Sequence, residues 1–140
     1  MMHRLLNKYL ILFDIGGALY VLIEIAWRGW SHWTMFILGG ICFISLGLIN
    51  DVIPWEMALW KQILIGTCVI TVLEFITGCI VNLWLGWDVW DYSHMPGNVL
   101  GQISPQYFVL WMLLSAVGIV FDDWLRYWMF GEERPHYKIL

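Results

Sequence analysis

The sequence predicts an all-α integral membrane protein, a four-helix bundle with both termini in the cytoplasm. Three observations predict this fold class. Of the 140 residues, 61% are hydrophobic and only 13% are charged, four apolar runs are long enough to cross a bilayer, and Lys and Arg are concentrated on one side of those runs. A soluble domain carries about 25% charged residues. The mild formal charge of −4 argues against nucleic acid as a partner.

Four apolar runs are predicted to cross the lipid bilayer as helices. The hydrocarbon core is about 30 Å thick and needs about 20 helical residues. Helices satisfy their backbone polar groups internally, whereas the alternating pattern of barrel strands is not seen in this sequence. We therefore predict one transmembrane domain over residues 1–130 and a cytoplasmic tail over residues 131–140. The predicted spans are residues 9–27, 33–49, 62–85 and 105–124.

The basic residues predict the orientation of the bundle. Of the seven Lys and Arg residues, only Arg28 lies on the side of the membrane that holds the loop between the third and fourth spans. By the positive-inside rule, this distribution places both termini in the cytoplasm and that loop outside the cell. We expect a multi-pass protein of the plasma membrane. The basic residues on the cytoplasmic side are Arg4, Lys8, Lys61, Arg126, Arg134 and Lys138.

Each predicted helix carries one stripe of small or polar residues at three- and four-residue steps and is otherwise apolar. Small residues let helix backbones approach closely, and polar residues form hydrogen bonds across the interface, so we expect the stripes to face inward. Gly39, Gly40 and Gly47 also suggest a close-packing surface for a homo-oligomer. The stripes are Asp14, Gly17, Val21, Glu24 and Arg28; Gly40, Ile44, Gly47 and Asn50 or Asp51; Thr67, Thr71, Glu74, Gly78 and Asn82; and Trp111, Ser115, Gly118 and Asp122.

Two acidic residues mark the cytoplasmic end of the fourth span. Asp122 lies one helical turn before Arg126, and oppositely charged residues at this spacing interact on a helix surface. We expect Asp122 and Asp123 to lie at a solvated helix terminus.

Glu74 is the most unusual residue of the predicted spans. It lies thirteen residues beyond Lys61, about 20 Å along a helix that rises 1.5 Å per residue, and therefore near the middle of the bilayer. A charge at that depth costs on the order of 3 kcal/mol on insertion scales. Either the carboxylate takes up a proton, or a cation or hydrogen-bond donor lies close by. The sequence leaves open an internal Glu–Arg network and a site for a substrate, ion or proton.

The loop WLGWDVWDYSHMPGN, between the third and fourth spans, places large rings beside carboxylates. Trp and Tyr favour the headgroup region, and Pro96-Gly97 is a turn signal. We therefore expect the loop to fold back over an outward-facing polar pocket. The alternative is a structural lid in which Asp91 caps a turn and the rings lie among headgroups. The candidate binding residues are Glu24, Arg28, Glu74, Asn82, Asp88, Asp91, Tyr92, Asn98 and Gln102.

Four segments in the second half of the chain carry a pattern shared with a known family. They are Leu73, Glu74, Phe75, Thr77 and Gly78; Trp90, Asp91, Tyr92 and Ser93; Asn98, Gly101 and Ile103; and Tyr107 and Trp111. In these residues the chain resembles the putative type IV ABC-transporter permease family. The first half is less similar, although Gly17, Tyr20 and Glu24 resemble the family's Gly-aromatic-Glu pattern in the first span. The resemblance implies a small four-span membrane protein with a role in transport.

Three classes of function remain open. The first, which we predict, is a small transporter or permease-like subunit that binds an unknown small substrate or ion and forms a homo-oligomer or joins a larger membrane partner. The second is a membrane-embedded enzyme acting on a lipid or isoprenoid, with Glu74, Asp88 or Asp91 as acid and base. The third is a structural or regulatory membrane subunit.

The motifs of catalysis and metal binding are not found in the sequence. It has neither a nucleophile–base spacing nor an HExxH motif, so no catalytic residue is assigned and enzymatic activity is not our prediction. His94 lies close to Asp91 but has no further ligand at a recognisable spacing, and we predict no metal and no cofactor. Without a GxxxxGK[ST] loop the chain is expected not to hydrolyse ATP by itself.

Overall fold

The structure, a computed structural model, describes residues 2–52 and 57–137, with the side chains of residues 2–49 and 57–137. A π-helical segment, Cys79–Trp84, continues the third helix. The all-α class is confirmed. The four helices are α1 Met2–Arg28, α2 Trp33–Val52, α3 Leu59–Gly78 and α4 Pro105–Phe130.

Three of the helices are long and apolar enough for a bilayer. Met2–Arg28, Leu59–Trp84 and Pro105–Phe130 are long and apolar enough to cross a membrane by length and composition, whereas the apolar helix Trp33–Ile49 is shorter. Helix α2 has 20 residues in all, about 30 Å at 1.5 Å per residue, which matches the hydrocarbon thickness. All four predicted spans correspond to helices of the structure.

Helix α2 lies at the centre of the bundle and contacts α1, α3 and α4, and α3 also packs against α4. We name the two ends of the bundle by what they hold. The loop end carries residues 85–104, and the tail end carries residues 131–137. Helix α4 starts at the loop end, where the Ser104 hydroxyl accepts a hydrogen bond from the Tyr107 N–H at 3.3 Å. It ends at Gly131, which is left-handed with a φ of 65°, as is common after helices.

The glycines of α2 make their close contacts with other helices of the same chain. A Cβ on Gly39 would lie 2.5 Å from the Cβ of Tyr20, and one on Gly40 would lie 2.7 Å from the ring of Phe13. A Cβ on Gly47 would likewise come too close to a side chain of α4. The interpretation of these glycines as a surface for a homo-oligomer is therefore wrong, because their close contacts hold α1 and α4 against α2.

The stripes of α3 and α4 face inward. Thr67 and Ser115 are fully buried, and the Thr67 hydroxyl donates a hydrogen bond to the Ser115 hydroxyl at 3.3 Å. The stripe of α1 faces inward only in part, because Asp14 is exposed. The side chains of Asn50 and Asp51 lie outside the described residues.

The tail end is buried and charged. The predicted pair is present, with Arg126 Nε 2.9 Å from Asp122 Oδ2. The predicted solvated terminus is wrong: Asp122 is 0% exposed and Asp123 is also buried. Glu132 lies 2.5 Å from Lys8 and 3.7 Å from Arg126, so the chain after α4 folds back over the pair and covers it.

Candidate functional site at the loop end

Glu74 is buried inside the bundle and accepts two hydrogen bonds. Its side chain is 3% exposed. The Tyr92 hydroxyl donates to Oε2 and the Trp111 indole N–H donates to Oε1, both at 3.1 Å. One donor comes from the loop and the other from α4. Within residues 2–49 and 57–137 no basic side chain forms an ion pair with Glu74, so its hydrogen-bond partners are neutral.

Aromatic rings hold these two donors in place. The ring of Tyr92 stacks on that of Tyr107 with centroids 4.5 Å apart and planes 8° apart. Tyr20 meets Trp111 edge to face, with centroids at 6.0 Å. Burial, and then the neighbouring Glu74 carboxylate, raise the pKa of Tyr92 well above its ordinary value of 10.0. The Tyr92 hydroxyl therefore keeps its proton and remains a donor.

Asn82 connects the π-helical segment to both halves of the loop. Its Oδ1 accepts a hydrogen bond from the Val89 N–H at 2.6 Å, and its Nδ2 donates to Gln102 Oε1 at 2.8 Å. The indole N–H of Trp90 donates to the Gln102 carbonyl at 3.0 Å. Asn82 lies in the π-helical segment that ends the third helix, at the point where the chain enters the loop.

Gly78 allows the loop to approach α3 closely. A Cβ at this position would lie 2.5 Å from Gln102 Oε1 and 2.9 Å from the ring of Trp90. Gly78 is buried, as its place on the stripe of Glu74 predicts, and Ile80 is exposed.

The second half of the loop is held by side chain–backbone hydrogen bonds. Asp91 Oδ1 accepts from the Ser93 N–H at 2.8 Å, and Asn98 Oδ1 accepts from the Gly101 N–H at 2.9 Å. Bonds of this type stabilise turns. Hydrogen bonds from Ser93 lower the pKa of the exposed Asp91 below its ordinary value. Asp91 therefore caps a turn, which is the role that the structural-lid alternative predicts for it.

Glu24 and Arg28 attach α1 to the loop. Arg28 Nε lies 2.5 Å from Glu24 Oε2, and its NH1 donates to the Val89 carbonyl at 2.8 Å. The guanidinium lies over the ring of Trp30, 4.0 Å from the centroid. Through Val89, Arg28 is therefore linked to Asn82.

The structure brings together most of the predicted site residues but not all of them. Asp88 is exposed, with a positive φ of 53°, and it lies outside the hydrogen-bonded group. The prediction that the tryptophans anchor the loop among headgroups fits Trp84, which is 80% exposed, but not Trp90, which is buried.

Sequence reasoning missed three rings at the site. The sequence places Trp111 on an inward stripe and in the family pattern but does not identify it as a donor to Glu74. Tyr107 and Tyr20, which contact Tyr92 and Trp111, were not candidates either. The position of Trp111 along α4 could have indicated this role. Helix α4 begins at Pro105, at the level where the loop closes, so Trp111 lies a short way below the loop.

A cavity of about 130 Å³ lies between the helices, with Glu74 and Trp111 in its wall and an otherwise mainly apolar lining. An engineered cavity of about 150 Å³ with apolar walls stays dry. At the loop end the polar side chains hydrogen-bond to one another and to the backbone, and an outward-facing polar pocket stays a prediction. Among the residues that the structure describes, no three His, Cys, Asp or Glu side chains are grouped to hold a metal ion.

These observations define a class of protein: a helical membrane protein with a buried carboxylate in a long apolar helix and a folded loop hydrogen-bonded to it. The chain belongs to the family described as "Putative ABC-transporter type IV", whose model matches residues 5–132. The match confirms the resemblance and extends it over the first half of the chain. With its apolar helices, the protein is a multi-pass membrane protein in contact with the lipid bilayer. Neither the curated proteins nor the solved structures gave a match to this chain.

Proposed function

We propose that the protein is a small transporter or permease-like subunit of the plasma membrane, in which Glu74 binds a small substrate or ion when the loop opens. The observation that supports this function best is the pair of neutral donors on Glu74, Tyr92 and Trp111. A buried carboxylate whose partners carry no charge can exchange them for a ligand without leaving a second charge unpaired.

Opening at this site costs less free energy than it would if Glu74 were held by an ion pair. A neutral hydrogen bond contributes a net stability of about 0.5–1.5 kcal/mol, whereas removing one partner of a buried ion pair costs about 3–5 kcal/mol. Release of the Tyr92 hydroxyl from Glu74 is therefore a small step. Trp111 is part of α4 and would keep the other oxygen in place.

The loop has backbone positions suited to such a movement. Gly86 and Gly101 have positive φ values of 67° and 72° and flank the segment that carries Tyr92. Hinges are a few loop positions that absorb a change in φ and ψ. In the proposed opening, residues between these glycines move away from α3 while Asn82 and Glu74 stay on their helix.

The proposed site requires the loop to lie outside the cell and both termini inside. Cysteine labelling tests this topology in a background in which Cys42, Cys68 and Cys79 are replaced. A membrane-impermeant reagent added to intact cells should modify Ser93→Cys and leave Glu133→Cys unmodified. Both positions are exposed, so the two probes differ in location rather than in accessibility. The reverse labelling pattern would overturn the topology.

The function is tested in liposomes that contain the isolated protein and a trapped pH indicator. We expect the wild type to dissipate an imposed pH gradient and Glu74→Gln to lose that activity while it still inserts normally. Asp14→Asn is the matched control, since it removes an exposed carboxylate of α1 and should keep the activity. Equal proton entry with wild type and Glu74→Gln would contradict the proposal.

A structural or regulatory subunit is the second candidate, because the loop-end side chains are hydrogen-bonded to one another. In that case Glu74→Gln would lower both the amount of protein in the membrane and its melting temperature. Assembly with further copies or with a larger membrane partner belongs to both proposals. Purification in mild detergent, followed by mass measurement of the intact particle, tests it.

A further inference from the structure

The cavity between the helices opens sideways, toward the lipid. Three of its lining residues are exposed on the outer surface of the bundle: Leu19 and Ile23 on α1 and Val117 on α4. Val117, the most exposed, is 59% accessible. Leu19 and Val117 lie well inside the long apolar helices Met2–Arg28 and Pro105–Phe130. The opening is therefore at the depth of the hydrocarbon core and continuous with the surface that contacts lipid.

The packing of α1 explains this opening. Helix α1 has its extensive contacts with α2 and not with α3 or α4, because the glycines described above hold it against α2. Gly118 on α4 is packed closely against Leu46 of α2, and it lines the remaining space together with Cys42. The gap thus remains between α1 and α4 because α1 packs against α2.

The residues that line the cavity indicate which kind of ligand can bind there. Glu74 is the sole carboxylate among the residues that line the cavity, and both of its oxygens already accept hydrogen bonds. The other walls are largely apolar and include Phe43, Leu46 and Phe121. A polar or hydrated ligand would lose its water against walls that are almost entirely apolar. An apolar one would gain dispersion contacts and leave nothing unsatisfied.

We propose that this lateral cavity binds the terminal part of a hydrocarbon chain of a membrane lipid. Its volume of about 130 Å³ is just below that of an engineered cavity of about 150 Å³ that takes up benzene. Only a short section of a chain can enter, and the rest of the lipid stays in the bilayer. The inserted section contacts Trp111, which donates a hydrogen bond to Glu74, and Tyr20, whose ring packs against Trp111.

Photo-cross-linking of the full chain tests this site. The protein is reconstituted into phosphatidylcholine vesicles that contain a trace of phospholipid with a diazirine at the end of one acyl chain. After illumination, mass spectrometry locates the adducts. We expect adducts on the cavity residues Cys42 and Leu114, in addition to those on Val72, which is exposed outside the cavity.

Variants at the opening provide the control. Leu19→Trp places a large ring at the mouth, and the yield of adducts on Leu114 should fall several-fold while that on Val72 is unchanged. Leu22→Trp changes an exposed residue of the same helix outside the cavity and should leave both yields unchanged. If Leu19→Trp inserts poorly, Val117→Trp serves the same purpose.

Two results would overturn the proposal. One is adducts confined to outer residues such as Val72, which would mean that no chain enters. The other is an unchanged yield of adducts on Leu114 in both Leu19→Trp and Val117→Trp, which would mean that the chain does not enter through this opening. The readout does not depend on transport, so it separates this proposal from the role proposed for Glu74.

Discussion

The two ends of the bundle each bury an acidic residue on an inward stripe, but they satisfy it differently. At the loop end, Glu74 accepts hydrogen bonds from the neutral Tyr92 and Trp111. At the tail end, Asp122 is paired with Arg126, and Glu132 of the returning chain lies near Arg126 and Lys8. The same kind of side chain is thus held by hydrogen bonds at one end and by charges at the other.

This difference separates a site that can change its partners from one that is fixed. Loss of either partner of a buried ion pair leaves an uncompensated charge. Loss of a neutral donor leaves an acceptor with remaining lone pairs that a ligand or water can use. We therefore interpret the tail end as the part that holds the helices together and the loop end as the part that can act.

The largest expected effect comes from neutralising the buried acid at the tail end, compared with the same change at Glu74. Asp122→Asn removes the carboxylate that pairs with the buried Arg126 and should cost about 3 kcal/mol, since Glu132 remains within reach. In Glu74→Gln the amide oxygen can accept from Trp111 and the amide N–H₂ can donate to the Tyr92 oxygen. That variant should stay close to wild type. The melting temperatures of the two variants in detergent test this prediction. Equal losses of stability would contradict the contrast between the two ends.

The next effect concerns the close contact between loop and α3. Gly78→Leu forces a side chain against Gln102 and Trp90 and should destabilise the protein by about 1–3 kcal/mol, as overpacking does. Ile80→Leu, on the exposed side of the same segment, should change stability little. Thermal unfolding of both variants in the same detergent checks this. If the two shifts are equal, the loop is not held against α3 at Gly78.

A smaller effect is expected from removing one donor to Glu74. Tyr92→Phe keeps the ring that stacks on Tyr107 and removes only the hydroxyl, so it should cost about 1 kcal/mol. Tyr127→Phe, at an exposed position of α4, is the control and should have no measurable effect. Hydrogen exchange of residues 85–104 should increase in Tyr92→Phe if this hydroxyl keeps the loop closed. Unchanged exchange would show that other contacts close it.

The smallest effect is a dependence on pH at Asp91. Because Ser93 lowers the pKa of folded Asp91 below 3.8, the stabilisation by this carboxylate is fully present above the pKa of the unfolded chain. It is lost as the pH falls through the lower folded value. The small difference in melting temperature between wild type and Asp91→Asn should therefore be constant around neutral pH and shrink in acid. A difference that grows in acid would contradict the assignment.

Much of the site was readable in advance because helical spacing and hydrophobicity are local properties. Glu74, Gly78 and Asn82 share a face at three- and four-residue steps, and all three contribute to the loop-end structure. The demand that Glu74 find a donor or cation followed from its depth alone. Which donor it finds did not follow, since both Tyr92 and Trp111 are distant in sequence.

The errors have a common physical origin. Gly39, Gly40 and Gly47 were correctly recognised as close-packing residues, but a glycine does not specify whether its neighbour belongs to the same chain. The position of Asp122 near a helix end predicts a place in solvent, whereas the chain after Gly131 returns and covers it. Spacing fixes the face of a helix, and the partner of that face depends on the path of the rest of the chain.

The sequence by itself determined the membrane class, the four helices, their small or polar stripes and the position of a carboxylate in the middle of a span. These depend on composition and on periods of a few residues. Only the tertiary structure decided that Tyr92 and Trp111 meet at Glu74, that Asp122 is buried, and that a lateral cavity remains between α1 and α4. Each of these joins segments far apart in the chain, and the relative rotation of helices and the path of loops are set by packing among all of them.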